Sequence, residues 1–211
     1  MIQEHLFSTP RSARYFTLGS LEDSADIWFV CHGYGQLAAR FLERFRPIEA
    51  KSRCIVAPEG LSRFYLPESA TERRVGASWM TREDRLHEID DYVRYLDALY
   101  RHIAHGAARV TALGFSQGTA TVSRWAALGS SRIDRLILWG GEVPPDLDLQ
   151  RLRVSSLTLV YGTRDQFFTP KVVAANEARL REHKIGYDLV SFDGGHEMSE
   201  ATLLQVAGTR V

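Results

Sequence analysis

The segment from Val110 to Gly118 reads VTALGFSQG and decides the fold. It begins as an apolar run of strand length, and the residues after it continue as a helix-forming stretch to about Leu128. Between the two lies the Gly-x-Ser-x-Gly pattern of residues 114–118, with Ser116 at its centre. A serine in this strand–turn–helix context is typical of a nucleophile elbow, in which a sharp turn lifts the hydroxyl above the edge of a parallel sheet.

The two glycines of this pattern have a steric purpose. A Cβ atom at Gly114 or Gly118 would crowd the neighbouring strand or helix, because the turn is tight. The same turn places the backbone N–H of Gln117 at the start of a helix, where it can donate to an oxyanion. The pattern alone also occurs by chance, so a glycine-rich turn with an incidental serine is the alternative interpretation.

Apolar runs of strand length alternate with longer amphipathic stretches along the chain. They predict strands near residues 27–31, 53–57, 109–113, 135–139, 157–161 and 187–192, and helices near 36–50, 86–103, 116–128, 170–184 and 200–206. Strands separated by helices of this length require crossover connections, which gives a mostly parallel sheet with helices on both faces. Only residues 15–18 are predicted to form an antiparallel edge strand, and residues 59–81 are predicted to form a long loop.

These elements predict an α/β protein with a mostly parallel sheet, and the nucleophile-elbow motif indicates the α/β-hydrolase fold, built as a single domain over residues 1–211. No insertion is long enough for a large lid domain. Both cysteines, Cys31 and Cys54, lie in apolar strand-like runs, and we expect buried free thiols at these positions. The amino terminus lacks the pattern of a secretory signal, so a cytoplasmic location is predicted.

The charge balance gives no electrostatic reason to expect nucleic acid or an anionic membrane as a partner. Lys and Arg number 26, as do Asp and Glu, and the formal net charge is zero. The longest apolar runs are too short to span a bilayer, so no integral membrane association is expected. No metal constellation or phosphate-binding loop occurs, so neither a metal nor another cofactor is predicted. The oligomeric state is left open, with a homodimer among the options.

Two further residues complete a catalytic triad in the order serine, acid, histidine that this elbow requires. Asp165 stands in the turn after the predicted strand 157–161, and His196 stands in a glycine turn after strand 187–192. Both turns lie at the carboxyl ends of parallel strands, where the elbow also lies. We therefore predict Ser116 as nucleophile, His196 as general base and Asp165 as the acid that orients it. Asp193 and Glu197 are rival acids, although both stand very close in sequence to His196.

A second oxyanion donor is predicted in the turn after strand 27–31, which reads His32-Gly33-Tyr34-Gly35. The backbone N–H of Tyr34 is the first choice beside that of Gln117, with the N–H of Gly35 as the alternative. His32 itself is interpreted as structural, since His196 already fills the role of base.

Aromatic residues near the strand ends are candidates for lining a substrate pocket. These are Tyr65 and Trp79 in the predicted loop and Phe167 after the triad acid. The alternative is that these side chains only pack their loops onto the core.

These motifs resemble the phospholipase/carboxylesterase family of small α/β-hydrolases, which are similar to dienelactone-hydrolase-like esterases. The matching segments are residues 32–35, 114–118, 162–165 and 194–197, and the resemblance runs from about residue 26 to the end. It implies hydrolysis of carboxylic esters or thioesters without a cofactor, through an acyl-enzyme. Gln36 departs from the aspartate that many members carry, and Thr119 replaces a common smaller residue.

The expected function is that of a serine carboxylesterase acting on small-molecule esters with short to medium acyl chains. A lysophospholipase or acyl-protein thioesterase is the alternative within the same chemistry and would need a long apolar groove. A catalytically silent binding protein with a hydrolase fold is the alternative from another class. Loss of activity in Ser116→Ala separates both enzyme hypotheses from the third.

Overall fold

The computed structural model describes residues 1–22, 24–67, 74–104 and 106–208. Within these residues the central sheet has seven strands: β1 (Tyr15–Leu18), β2 (Asp26–Cys31), β3 (Arg53–Pro58), β6 (Arg109–Phe115), β7 (Arg135–Trp139), β8 (Ser156–Gly162) and β9 (Asp188–Phe192). Their spatial order is β1-β3-β2-β6-β7-β8-β9. A separate two-stranded sheet pairs β4 (Ser62–Tyr65) with β5 (Val75–Ser78).

Strands β2, β3 and β6 to β9 run parallel, and β1 pairs antiparallel with β3 at one edge. Strands β1 to β3 form one side of the sheet. After β3 the chain crosses over β2, so that β6 pairs with β2 on its other side, and β7, β8 and β9 follow in sequence order. The predicted mostly parallel sheet and its antiparallel edge at residues 15–18 are both confirmed.

Helices cover both faces because successive side chains of a strand point in opposite directions. They are α1 (Ala38–Leu42), α2 (Arg85–Ile103), α3 (Gln117–Leu128), α4 (Pro170–Glu182) and α5 (Glu200–Ala207). In β2, Ile27 and Phe29 pack on the side of α2 and α3, whereas Trp28 and Val30 pack on the side of α1 and α5. In the part of the chain that the structure describes, no helix has the length and apolar character needed to cross a bilayer.

Two predicted elements differ in the structure. The helix expected over about 36–50 is a short α1 followed by a 3-10 helix, Glu43–Ile48, which contains Pro47. Proline lacks an N–H donor and cannot continue the α-helical bonding pattern. The long loop expected over 59–81 contains the β4–β5 hairpin, in which Ser62 pairs with Ser78, while residues 68–73 lie outside the described residues.

The predicted burial of two free thiols is confirmed. Cys31 and Cys54 are both free and fully buried, on β2 and β3 respectively. Burial raises the pKa of the Cys54 thiol to about 11 and that of Cys31 still further. Both thiols therefore act as small apolar core groups and not as nucleophiles.

Candidate active site

Ser116 sits in a strained turn between β6 and α3. Its backbone has φ 53° and ψ −117°, a conformation that residues with a side chain rarely adopt. The flanking glycines permit the turn: a Cβ at Gly114 would lie 2.2 Å from the Gly118 carbonyl oxygen, and one at Gly118 would lie 2.1 Å from the Cys31 carbonyl oxygen. The Ser116 N–H donates to the Trp139 carbonyl at 2.9 Å, which anchors the turn to β7.

His196 and Asp165 meet at the carboxyl ends of β9 and β8. The Nδ1 atom of His196 donates to Oδ2 of Asp165 at 2.7 Å. The other carboxylate oxygen, Oδ1, accepts hydrogen bonds from the N–H groups of Phe167 at 2.8 Å and Phe168 at 2.9 Å. Burial by itself would raise the pKa of Asp165, but the hydrogen bonds from Phe168, His196 and Phe167 outweigh it and hold the pKa below its ordinary value. The carboxylate is therefore ionised and fixed in orientation.

The imidazole of His196 is held from several sides. Its ring lies between the rings of Phe115 and Phe167, with both centroids 5.0 Å away. Next to it in sequence, the Glu197 carbonyl accepts a hydrogen bond from the Trp139 indole at 2.9 Å. Because Nδ1 is engaged by Asp165, Nε2 is the ring nitrogen left to accept a proton. Ser116 and His196 line the same cavity.

The two rival acids do not contact His196 in the structure. Asp193 is exposed and pairs with Arg164. Glu197 uses Oε1 to accept a hydrogen bond from the Gly195 N–H at 3.3 Å. Among the three acidic residues considered from the sequence, Asp165 is the one whose carboxylate reaches the imidazole.

The loop after β2 runs directly against Ser116. A Cβ at Gly33 would lie 3.2 Å from the Ser116 Cβ atom. The described residues provide no acceptor for the Tyr34 N–H, whereas the Gly35 N–H donates to the Ala77 carbonyl at 2.9 Å. Gln117 begins α3, and the first N–H groups of a helix have no acceptor within the helix. The geometry therefore favours Tyr34 over Gly35 as partner of Gln117 in an oxyanion hole.

The side chain of His32 fixes the loop after β2 by hydrogen bonds. Its Nδ1–H donates to the Gly33 carbonyl at 2.8 Å, and its Nε2 accepts from the Gly60 N–H at 3.0 Å. The Trp79 indole donates to the His32 carbonyl at 2.9 Å. Burial lowers the pKa of His32 despite opposing effects of the Gly33 carbonyl and of Glu59. The ring is neutral and structural, which agrees with its interpretation from the sequence.

Two glutamine side chains, Gln117 within the serine motif and Gln36 directly after the turn 32–35, also hold the site together, and this was not foreseen from the sequence. Gln117 accepts from the Trp79 N–H at 3.1 Å and donates to the Met80 carbonyl at 2.8 Å. Gln36 accepts from the Gly33 N–H at 2.9 Å. Both residues therefore fix backbone segments around Ser116. A long polar side chain beside each glycine turn was the only signal available.

A cavity of about 530 Å³ opens beside Ser116 and His196. Of the three aromatic residues predicted to line a pocket, Phe167 does so. Trp79 is instead 2% exposed in the core, and Tyr65 is exposed on β4, so neither lines the cavity. The wall includes apolar and charged residues that were not predicted: Met80, Pro144, Pro145, Phe168, Val172, Arg85, Arg124, Glu142 and Asp146.

Comparison with known proteins assigns the chain to a family. The sequence model of the alpha/beta hydrolase fold matches residues 29–157, and the chain belongs to this family. No curated protein matches the sequence significantly. The resemblance to small α/β-hydrolases drawn from the motifs is thereby confirmed at the level of the fold.

Solved structures of hydrolases have the same fold over nearly the whole chain. Esterase PE8 is 18% identical, with 94% of this chain and 97% of that chain covered and a TM-score of 0.72. Acyl-protein thioesterase 2 of Zea mays is 15% identical, with 93% and 97% covered and a TM-score of 0.74. A carboxylesterase from Mesorhizobium loti is 21% identical, with 93% of each chain covered and a TM-score of 0.72. At these identities the similarity establishes the fold alone and leaves the activity and the substrate open.

Proposed function

We propose that this chain is a serine carboxylesterase that hydrolyses esters of short to medium acyl chains through an acyl-enzyme. The observation that carries the proposal is the hydrogen bond of 2.7 Å between His196 and Asp165, beside a cavity that Ser116 shares with His196. A binding protein has no physical need for a strained serine, an oriented imidazole and a buried carboxylate at one place. The esterases among the structural neighbours support the same class of reaction.

In the proposed reaction, Oγ of Ser116 attacks the ester carbonyl carbon while Nε2 of His196 takes the hydroxyl proton. Asp165 holds the ring by Nδ1 and stabilises the imidazolium that forms. The N–H groups of Tyr34 and Gln117 would donate to the oxyanion of the tetrahedral intermediate. The imidazolium then gives its proton to the departing alkoxide. In the second half, water deprotonated by His196 attacks the acyl carbon, the bond to Oγ of Ser116 breaks, and the imidazolium returns its proton to Oγ.

The shape of the cavity supports short to medium acyl chains. Its volume of about 530 Å³ suits a small ligand, and its wall beyond the nucleophile contains Arg85, Arg124 and Asp146. Burying a long alkyl chain against these charged groups is unfavourable. This composition disfavours the lysophospholipase and long-chain thioesterase alternatives.

The test is hydrolysis of p-nitrophenyl acetate, butyrate, octanoate and palmitate by wild type, Ser116→Ala and Ser123→Ala. Ser123 is the matched control, because it lies buried on the same helix without a hydrogen-bond partner among the described residues. We expect wild type and Ser123→Ala to cleave the two shortest esters fastest, and Ser116→Ala to lose at least about 10³-fold in kcat. Activity in Ser116→Ala equal to that of the wild type would refute the role of Ser116.

The same assay distinguishes the three acids. Asp165→Asn should lower kcat by several orders of magnitude, since an asparagine favours the wrong imidazole tautomer. Asp193→Asn should leave kcat close to the wild-type value, because Asp193 contacts Arg164 and not His196. The opposite ranking would move the role of acid to Asp193. If the wild type cleaves none of the four esters, the binding-protein hypothesis replaces this one.

A further inference from the structure

A charged cluster forms the part of the cavity wall farthest along α3 from the nucleophile. Arg124 on α3 donates from Nη2 to Oδ1 of Asp146 at 2.9 Å. Arg85, the first residue of α2, donates from Nη2 to Oδ2 of the same carboxylate at 2.8 Å. Both arginines and Asp146 line the cavity that contains Ser116. Two guanidinium groups therefore share one carboxylate at this wall.

This cluster has more hydrogen-bond donors than acceptors. The Arg124 side chain is only 4% exposed, and it contacts Asp146, the Met80 sulfur from Nη1 at 3.5 Å, and the Tyr92 hydroxyl. A guanidinium carries five N–H donors, so these contacts do not use all of them. Nε of Arg85 is also buried without a partner among the described residues. A buried cation with unused donors favours an additional anionic acceptor.

The tyrosine belongs to the same electrostatic environment. Burial raises the pKa of Tyr92 to about 12, while the positive charge of Arg124, a hydrogen bond from Arg124 and the positive charge of Arg85 oppose that rise. The phenol is therefore neutral and keeps its O–H as a donor. Its proximity to both guanidinium groups adds one more donor at the edge of the cluster.

Asp146 is the acid that pairs with this cluster, and its single charge does not balance both arginines. Asp146 is 44% exposed and has to serve both arginines. Glu142 also lines the cavity, but no guanidinium lies within ion-pair distance of it among the described residues. The two arginines and Asp146 together keep one net positive charge.

The separation of Ser116 and Arg124 along α3 sets the length of a ligand that could contact both residues. Arg124 follows Ser116 by eight positions, which corresponds to about 12 Å of helix. Helical side chains lean toward the amino terminus of their helix, so the guanidinium lies closer to the nucleophile than its Cα atom does. An extended chain of about four to seven atoms would span this separation.

From these observations we infer a carboxylate-binding subsite: Arg124 and Arg85 bind a carboxylate at the far end of the substrate while Ser116 attacks its ester. The substrate class is then monoesters of short dicarboxylic acids, or esters of short hydroxy acids with a free carboxylate. The inference rests on the proposed esterase function and names its substrate class. It makes Arg124 and Arg85 determinants of specificity and gives them no part in the chemical step.

The test compares anionic esters with neutral esters of equal length. Monoethyl adipate is paired with its terminal amide, and the acetate ester of 6-hydroxyhexanoate with its own amide, at constant low ionic strength. Alcohol or acetate release gives kcat/KM for each, and the anionic-to-neutral ratio is the readout. In the wild type at least one pair should give a ratio of about ten or more, the effect expected of a charge-assisted contact.

Three variants locate the origin of that preference. Arg124→Met keeps an apolar stem of similar length and should bring the ratio close to one. Asp146→Asn removes the competing carboxylate and should raise the ratio, which keeps the inference testable if Arg124→Met does not fold. Arg94→Met is the matched control: Arg94 is 70% exposed and pairs with Asp91 on the outer face of α2, so the ratio should not change.

The outcomes separate this inference from the proposed function. If the wild type cleaves neutral esters but shows a ratio of one or less in both pairs, the carboxylate subsite is wrong and the esterase proposal stands. A ratio that stays high in Arg124→Met, or fails to rise in Asp146→Asn, also overturns the subsite. If no ester is cleaved at all, both fail together.

Discussion

The imidazole of His32 forms hydrogen bonds with two backbone groups at once: it donates to the Gly33 carbonyl and accepts from the Gly60 N–H. Only a neutral ring can do both, because a protonated imidazole has two donors and no acceptor. Protonation would therefore repel the Gly60 N–H and would also place a charge in the core, where the residue is fully buried. The position of residues 32–36, which are termed the oxyanion loop after their proposed role, thus depends on the protonation state of His32, a residue that takes no part in the proposed chemistry.

This leads to a prediction about stability and pH. The folded-state pKa of His32 is lowered, so the unfolded chain binds a proton that the folded chain excludes once the pH falls below about 6.5. The free energy of unfolding should therefore fall between pH 6.5 and pH 5 by about 1 kcal/mol per pH unit more in wild type than in His32→Gln. Urea denaturation at several pH values measures this difference.

Exposed His5 provides the control for that experiment. His5→Gln should show the same pH dependence as the wild type, because His5 lies on the surface in the amino-terminal segment. His87, whose pKa is raised by Asp84, affects all three proteins alike and cancels in the comparison. Parallel curves for wild type and His32→Gln would contradict the assignment of His32 as a buried neutral ring.

At the residue level, the sequence was informative where chemistry restricts residue type and order. Ser116, Asp165 and His196 were predicted from their places after three strands, and the structure brings Asp165 and His196 into contact. Arg124 was missed, although it stands among apolar residues on α3, which is a signal of a buried cation. Its partner Asp146 could not be predicted, since their contact depends on how the loop after β7 returns to α3.

Among the elements, the β4–β5 hairpin contacts the loop that runs against Ser116. The Gly35 N–H donates to the Ala77 carbonyl, and the Ala77 N–H donates to the Gln36 carbonyl, so the oxyanion loop pairs with β5. A Cβ at Gly76 would lie 2.5 Å from the Gly35 carbonyl oxygen and 2.7 Å from its Cα atom. Because both of these are backbone atoms, they cannot move aside independently of the loop.

We expect Gly76→Ala to push the hairpin and the oxyanion loop apart. This should misplace the Tyr34 N–H and lower kcat by about tenfold or more, since loss of one oxyanion donor costs about 10²- to 10³-fold. Gly186→Ala is the matched control, because no atom lies within 4 Å of the Cβ it would add. Steady-state kinetics with p-nitrophenyl butyrate and a melting curve for each variant give the result. Unchanged kcat in Gly76→Ala would show that the hairpin does not position the loop.

The elements differ in how far the sequence determines them. Long strands buried on both faces, such as β6 and β7, were located within about two residues because they are continuous apolar runs. The hairpin strands have only four residues each, and β4 alternates between partly buried and exposed positions. A loop can have the same length and the same pattern of burial, so the sequence does not distinguish these strands from a loop. Their pairing is fixed by contacts with the oxyanion loop, which lies more than 25 positions earlier in the chain.

In the whole molecule, the antiparallel edge of the sheet and its interior strands should differ in the free energy of opening, and one buried thiol lies close to each. Cys54 on β3 lies beneath the turn that follows β1, with its sulfur 3.8 Å from the Gly19 carbonyl oxygen. Cys31 on β2 lies between β3 and β6, at the centre of the molecule. Strand β1 has only four residues and pairs on one side alone, so its opening should cost less free energy than disruption of the whole sheet.

The two thiols can therefore report local and global opening separately. In Cys31→Ala the remaining Cys54 should react with a chromogenic disulfide reagent at least about tenfold faster than Cys31 does in Cys54→Ala. The rate for Cys31 should follow global unfolding as urea is added, while the rate for Cys54 should depend on urea more weakly at low concentrations. Equal rates for the two thiols with the same urea dependence would indicate that the sheet opens only as one unit.

The overall architecture followed from the order of strands and helices, but the cavity did not. Alternating segments require a parallel sheet with its candidate catalytic turns at one edge. The cavity wall instead combines the start of α2, the middle of α3 and the loop after β7. No local sequence pattern indicates that these three segments meet. The charged part of the wall, formed by Arg85, Arg124 and Asp146, could therefore be identified only from the structure.

The positive φ of Ser116 has a consequence for how such a chain changes over time. Backbone strain of this kind costs about 1–3 kcal/mol, and glycine at the same position would relieve much of it. An inactive Ser116→Gly protein is thus expected to be more stable than the active one. Under the proposed function, random mutation filtered only for folding would tend to erase the nucleophile, so the serine would persist in this conformation only while selection acts on turnover itself.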